Sequence, residues 1–202
     1  MVSWSDETRC RLVFTRNFVN RTDFEDSVIF VYSNLSGIAG VSALFFALFF
    51  NRTRIVSKEL FSPKQFGRIV RSYKVTHGLC LVEQASNLLQ SSCFNPEDFD
   101  TMKQLLVGGE RVPSTLRELL KSQFKPGCFG VAIGATEINM MARYNREADT
   151  SGIKGNVVGN LINNAMGKII DFNSKSQLGP NEVGEIYLKT ESMFTVWFEN
   201  LI

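Results

Sequence analysis

The chain has 202 residues, of which 22 are basic and 20 are acidic, so its formal net charge is +2. This balance argues against a dominant basic face and so against nucleic acid as a partner, and the hydrophobic share of 44% is ordinary for a globular protein. The length is enough for one well-formed core, or for a large domain with a small appendage.

The first 50 residues divide into two unlike parts. Residues 1–26 are mixed, charged and weakly periodic, which predicts a poorly defined N-terminal segment. The next 24 residues, Ser27 to Phe50, carry no charge and are followed by Arg52 and Arg54. This stretch is long enough for a membrane span. It also fits a buried strand, a turn rich in Asn, Ser and Gly, and a buried helix, so both alternatives stay open on composition.

Residues 27–149 alternate between short apolar runs and amphipathic segments. The pattern predicts strands at 28–32, 54–56, 75–81, 102–107 and 129–133, and helices at 37–50, 63–73, 83–89 and 114–124. Ser62 and Pro63 are predicted to open the second helix, with Pro in its first turn, and Ser114 is a predicted N-cap. This order predicts an α/β fold with a mostly parallel sheet flanked by helices. Ligands bind at the carboxyl ends of such strands, where Gly108, Gly109 and Gly134 follow apolar runs.

Residues 150–202 are richer in Gly and Asn and predict a small β segment. Residues 165–171 and 184–189 are predicted strands, joined through a turn at 178–181. We therefore expect an N-terminal segment over 1–26, an α/β sheet subdomain over 27–149, and a β-rich segment of the same domain over 150–202.

Metal-binding residues are sparse in the sequence. The cysteines Cys10, Cys80, Cys93 and Cys128 form no CxxC pair, and His77 is the single histidine, so the spacing does not support a zinc site. We expect free thiols in a reducing compartment. His77 is predicted to be structural or partly exposed. The carboxylates Glu83 and Glu110 are predicted to be solvated surface residues.

The stretch with the clearest chemical logic is residues 133–137, Ile-Gly-Ala-Thr-Glu, which follows a predicted strand. A glycine at 134 allows a nucleotide to approach the backbone closely. The Thr136 hydroxyl can bond a phosphate oxygen, and Glu137 can hold Mg²⁺ against that phosphate. The same letters also begin a capped helix, so the tetrapeptide alone does not decide between these interpretations.

Four further stretches stand in order around this motif, at 107–113 (VGGERVP), 157–159 (VVG), 167–171 (GKIID) and 178–190 (LGPNEVGEIYLKT). Together with residues 133–137, this set resembles the adenylate-forming (AMP-binding) superfamily of acyl-CoA synthetases, 4-coumarate–CoA ligases and beetle luciferases, and is most similar to insect members. Residues 178–190 carry the strongest resemblance, to a family stretch L-G-x-N-E-x-G-E-I-x-V-K-T. The resemblance covers residues 27 to 202.

The resemblance implies a two-step ligase that uses ATP, Mg²⁺ and coenzyme A on a fatty or aryl acid. It also favours the strand and helix over a membrane span for Ser27 to Phe50. The implied catalytic residues are Thr136 and Glu137, with Glu137 as the Mg²⁺ ligand. The implied nucleotide-binding residues are Gly108, Gly109, Gly134, Ala135 and Thr136, and the implied acyl-binding residues are Ser36, Gly37 and Gly159.

This chain also departs from the family pattern. Ile133 replaces an aromatic residue, Ser36 replaces a histidine, no phosphate loop precedes Val28, and no C-terminal lid domain with a catalytic lysine follows. We therefore expect the chain alone to be inactive, with a non-catalytic nucleotide- or acyl-binding or interaction fragment as the alternative. A cytoplasmic location is expected, because the last residues, 199–202, are not a Ser-Lys-Leu peroxisomal signal, although relatives suggest peroxisomes.

Overall fold

A parallel sheet organises the part of the chain that the structure describes. The computed structural model describes residues 2–3, 25–143, 157–161, 165–190, 193 and 196–197. The strands of the main sheet are β2 (Val28–Val31), β3 (Thr53–Ile55), β4 (His77–Leu81), β5 (Gln104–Gly108), β6 (Phe129–Ala135), β7 (Asn139–Arg143) and β8 (Asn160–Leu161). They lie in the order β3-β2-β4-β5-β6-β7-β8. The pairs from β3 to β6 are parallel, whereas β7 and β8 run antiparallel.

Helices follow the parallel strands along the chain. They are α1 (Ile38–Phe49), α2 (Pro63–Tyr73), α3 (Val82–Gln90) and α4 (Ser114–Gln123), with a 3-10 turn at Pro96–Phe99. Crossover helices of this kind connect parallel neighbours in a sheet. The predicted α/β class, with a mostly parallel sheet flanked by helices, is confirmed.

The two faces of the sheet pack against different helices, because successive side chains of a strand point to opposite sides. On one face, Phe30 of β2 and Leu105 of β5 belong to the main core. The helices α2, α3 and α4 contribute the buried core residues Phe66, Ile69, Val70, Ala85, Leu88, Leu116 and Leu120. On the other face, Ile29 and Val31 pack against α1.

Aromatic rings form a continuous group within the main core. The Phe66 and Phe99 ring centroids lie 5.7 Å apart, and those of Phe99 and Phe124 lie 5.2 Å apart in an edge-on arrangement. Phe94 adds a fourth ring at 5.6 Å from Phe99. These phenylalanines of the described core thus contribute burial without a polar group that needs a partner.

The helix α1 is buried along one side only. Gly40, Ala43, Phe46 and Ala47 are its buried residues, whereas Leu48 is 67% exposed. A Cβ at Gly40 would lie 2.0 Å from the backbone oxygen of Asn34, so only glycine fits there. The expected buried helix is therefore present, but it is only partly covered, with Leu48 and Phe49 exposed. Among the described helices, none has both the length and the hydropathy that crossing a bilayer requires.

The structure confirms one predicted helix start and corrects two other predicted element ends. Ser62 caps α2, because its Oγ accepts a hydrogen bond from the Gln65 N–H at 3.3 Å. The Ser114 prediction was wrong, since Ser114 is the first residue of α4 and the extended Pro113 occupies the cap without a side-chain bond. Gly134 does not end β6, because pairing with β7 continues through a register shift between Ile133 and Gly134.

The predicted C-terminal hairpin is confirmed. Strands β9 (Ala165–Ile170) and β10 (Glu185–Thr190) pair antiparallel. A Cβ at Gly184 would lie 2.4 Å from the Ile170 oxygen, so glycine allows the strand entry. Strands β1 (Val2–Ser3) and β11 (Val196–Trp197) form a separate antiparallel pair.

Candidate functional site

A cavity of about 400 Å³ lies on the α1 side of the sheet. This volume is within the usual range for small-molecule sites. The strands β2, β4, β5 and β6 form its floor and α1 forms one wall. Strand residues reach it in alternation, as Ile29 and Val31 do on β2. The alternation of side chains along each strand therefore decides which of them face the cavity.

The body of the cavity is apolar. The apolar side chains in its lining include those of Ile29, Val31, Ile38, Val41, Phe45, Phe46, Leu79, Leu81, Leu106 and Ile133. Its polar side chains are those of Ser33, Ser42, His77, Gln104 and Thr136. None of the described lining residues is Lys, Arg, Asp or Glu. Such a lining suits a neutral organic chain better than a charged one.

Glycines and a threonine lie at one end of the cavity, where the parallel strands reach their carboxyl ends. Gly108 and Gly109 follow β5, and Gly134 and Thr136 stand at the end of β6. Gly109 has φ +94°, and a Cβ there would lie 2.8 Å from Leu81 Cδ2, so its backbone requires glycine. This is the end of a parallel sheet at which ligands characteristically bind.

The structure brings together five of the predicted site residues: Gly37, Gly108, Gly109, Gly134 and Thr136 all line the cavity. Ala135 and Glu137 are half-buried neighbours of Thr136, outside the lining. Gly159 is half-buried with φ +103°, also outside the lining. Roles for all these residues stay predictions.

Ser36 occupies a different position from its neighbour Gly37. It is exposed, it does not line the cavity, and its backbone N–H donates to Asn34 Oδ1 at 3.1 Å. An acyl-binding role for Ser36 therefore also stays a prediction.

His77 and Gln104 line the opposite end of the cavity. Their sequence positions alone did not predict that they lie side by side. They are paired in register on β4 and β5. His77 is only 8% exposed, and its Nδ1 lies 2.8 Å from Thr76 Oγ1. The prediction of a structural histidine missed that it faces the cavity. The available signal was its two-residue spacing from Leu79, which puts both side chains on one face.

The described cysteines and the carboxylates Glu83 and Glu110 lie outside the cavity lining. Burial raises the pKa of Cys80 to about 12 and that of Cys128 to about 11, so both stay protonated. Cys93 is exposed, and Cys10 lies outside the described residues. Glu83 and Glu110 are exposed as predicted.

A magnesium site here would rest on one carboxylate. The described residues contain no group of three or more His, Cys, Asp or Glu side chains placed to hold a metal. Magnesium bound to a nucleotide needs only one or two protein carboxylates, because phosphate and water supply the other oxygens. Glu137 follows Thr136 in the chain and is half-buried outside the cavity lining, so its role as the magnesium ligand stays a prediction.

Sequence comparisons relate this chain to known proteins. The profile of the family described as AMP-binding enzyme matches residues 8–198. A luciferin 4-monooxygenase of Photuris pensylvanica is 23% identical over 147 residues, which cover 73% of this chain and 26% of the relative. A probable 4-coumarate–CoA ligase 3 of Dictyostelium discoideum is 26% identical over 148 residues, which cover 73% of this chain and 26% of that relative. The chain thus spans about a quarter of these curated relatives.

Solved structures share the fold. The luciferase-like enzyme from the nonluminescent mealworm Zophobas morio superposes with a TM-score of 0.83 and 19% identity, over 98% of this chain and 47% of that one. O-succinylbenzoate coenzyme A synthetase from Bacillus subtilis, in complex with AMP, gives a TM-score of 0.78 and 20% identity, over 96% and 38%. At these identities the likeness concerns the fold.

Proposed function

Because the chain belongs to the AMP-binding enzyme family, we propose that it binds the acyl-adenylate of a ligase that activates carboxylic acids with ATP. One observation carries the proposal: an apolar cavity ends at glycines and Thr136, where the carboxyl ends of β5 and β6 meet. An apolar body suits the acid's tail, and a glycine-rich end suits phosphate groups.

The reaction that we propose for the intact system has two steps. A carboxylate oxygen attacks the α-phosphorus of ATP, which forms acyl-AMP and releases pyrophosphate. The thiol of coenzyme A then loses its proton and attacks the acyl carbon, so that the thioester forms as the bond from the acyl carbon to the phosphate oxygen breaks and AMP leaves. Magnesium, when bound, neutralises charge on the phosphate oxygens.

Each predicted site residue has a defined part in this proposal. The Thr136 hydroxyl donates to a phosphate oxygen, and Glu137 holds the magnesium ion. Gly108, Gly109 and Gly134 let the nucleotide lie close to the backbone. The acyl-binding roles predicted for Ser36, Gly37 and Gly159, and the nucleotide-binding role predicted for Ala135, belong to the same proposal.

We further propose that this chain binds the acyl-adenylate without completing the reaction. The described cavity lining offers neutral polar groups and no Lys or Arg side chain. Each preorganised donor to a developing charge is typically worth about 3 kcal/mol or more in the transition state, so lacking two or three leaves activity near background. The alternative is a non-catalytic nucleotide- or acyl-binding or interaction fragment, acting in the cytoplasm. The proposed organisation is one domain, with residues 27–149 as its sheet part and 150–202 as its β-rich part.

Calorimetric titration with decanoyl-sulfamoyl adenosine, a non-hydrolysable acyl-AMP mimic, tests the binding. We expect saturable binding to the purified chain, lost in Gly134→Val because that side chain would fill the glycine end. Gly179→Val, in an exposed turn, is the matched control and should bind as the original does. Absence of binding by a folded chain would contradict the proposal.

Two further measurements test the metal and the turnover. With Mg²⁺ and ATP, Glu137→Ala should weaken binding in the presence of the ion but not without it, whereas Glu118→Ala on the exposed side of α4 should change neither. Thioester formation from a fatty acid, ATP and coenzyme A should stay at background. Measurable ligation by this chain alone would refute the proposed lack of turnover.

A further inference from the structure

The cavity has two polar ends on opposite sides of its apolar body. Gln104 begins β5 and Gly108 ends it, and both line the cavity. Four residue steps along the extended strand separate them, which corresponds to roughly 13 Å at the usual rise per residue. A ligand whose phosphate end lies at Gly108 therefore directs its tail along β5 toward Gln104.

The far polar end is held in place by the backbone. The Gln104 N–H donates to the Thr76 carbonyl oxygen at 3.0 Å. Thr76 Oγ1 accepts from the Val28 N–H at 2.9 Å and contacts His77 Nδ1. These bonds fix the backbone at the start of β4 and β5, and both Gln104 and His77 line the cavity.

The chemistry of this end is polar and uncharged. Within the described part of the chain, no group forms a hydrogen bond with the side-chain amide of Gln104, which both donates and accepts. Leu79 and Leu106 line the adjacent floor. A hydroxyl on the ligand tail matches the amide in both senses. A carboxylate tail would be desolvated without a lysine or arginine among the described lining residues.

We propose that the Gln104 and His77 end of the cavity selects acids that carry a hydroxyl at the far end of the chain, as an ω-hydroxy fatty acid does. This inference rests on the proposed function and adds its substrate class. Gln104 exchanges hydrogen bonds with the terminal hydroxyl, and the buried His77 ring gives this end of the cavity a polar wall. Leu79 and Leu106 contact the methylene chain between the two ends.

Paired ligands and paired variants test the proposal. Calorimetry would compare ω-hydroxydecanoyl-sulfamoyl adenosine with decanoyl-sulfamoyl adenosine on the chain as it stands. One net hydrogen bond predicts about tenfold tighter binding of the hydroxylated mimic. Gln104→Leu, of similar size, should abolish or reverse this preference, and His77→Phe should reduce it. Gln90→Leu, at an exposed glutamine outside the cavity, should leave the ratio unchanged.

The outcomes separate this inference from the proposed function. Equal binding of both mimics by the original chain, or preference for the plain one, overturns the inference and leaves acyl-adenylate binding intact. If neither mimic binds to the folded chain, both the inference and the proposed acyl-adenylate binding are overturned. The ratio of the two affinities on the original chain tests the inference even if a variant fails to fold. An unchanged ratio in a folded Gln104→Leu variant would overturn the role of Gln104.

Discussion

Gly108 of β5 lies directly beside Ala132 of β6, and a Cβ on Gly108 would lie 2.3 Å from the Ala132 carbonyl oxygen. The two strands can keep this approach only while residue 108 has no side chain. The contact is with backbone, which cannot rotate away as the end of a flexible side chain can. Glycine is therefore required here for packing, independently of any ligand.

Gly108→Ala is accordingly predicted to lower the free energy of unfolding by about 2 kcal/mol, the usual cost of overpacking. The matched control is Gly179→Ala, whose Cβ would meet only the movable carboxylate of Glu182 at 3.3 Å. Urea denaturation of both variants measures the difference. Equal midpoints would show that β5 and β6 separate at little cost.

Two serines at helix starts should respond differently to the same substitution. Ser62→Ala removes the hydrogen bond that Ser62 Oγ accepts from the Gln65 N–H, so we expect a loss of about 1 kcal/mol in unfolding free energy. Ser114→Ala should change stability by only a few tenths of that, because Ser114 provides no cap. Thermal unfolding of the pair measures this, and a larger loss for Ser114→Ala would contradict the assigned helix start.

Phenylalanines at two depths provide another matched test. Phe99 is 3% exposed and contacts the rings of Phe66, Phe94 and Phe124. Phe99→Ala should cost about 3–5 kcal/mol, from lost burial and the cavity that remains. Phe172 is 59% exposed, so Phe172→Ala should cost far less. Denaturant midpoints of the two variants measure the difference. Similar losses of stability would contradict the position of Phe99 in the core.

The buried thiols predict a loss of stability in alkali. The Cys80 pKa is raised by burial from its ordinary value of 9.0 to about 12. Above pH 9 the unfolded chain therefore releases this proton while the folded chain keeps it. The free energy of unfolding should fall as pH rises from 9 toward 12, by up to about 1.4 kcal/mol per pH unit for this thiol.

Cys80→Ala tests whether this thiol causes the loss of stability in alkali. Its free energy of unfolding should fall less steeply between pH 9 and pH 11 than that of the original chain, whatever the effect on stability at neutral pH. Cys93→Ala is the control, since Cys93 is exposed in the folded chain. Urea titrations at a series of pH values give the two slopes. Identical slopes for Cys80→Ala and the original chain would contradict the assigned role of this thiol.

The sequence predicts the elements of this fold better than their contacts. Apolar runs such as residues 28–32, and the serine before Pro63, specify local structure through burial and capping, so the strand at β2 and the start of α2 were predictable. The glycine end of the cavity was predictable too, because Gly108 and Gly134 follow apolar runs in a parallel sheet.

The far end of the cavity was not predictable in the same way. Alternation indicates that His77 and Leu79 share a face, but not which face α1 covers. That choice depends on the packing of α1, whose Phe46 shares a buried cluster with Ile29 and Val31, and such tertiary packing is not visible in alternation. Ser114 was misassigned for a related reason, since Pro113 and Ser114 are both acceptable at a helix start.

Among the described strands, β3 lies at the border of the main sheet, in the order β3-β2-β4, and this has a consequence for self-association. An unpaired border strand can template strand addition from another molecule, and exposed Val56 and Leu60 next to β3 would favour such contact. This border is three residues long, and Arg52 and Arg54 stand at and beside it. Short length and positive charge are both features that disfavour pairing of such a border with another molecule.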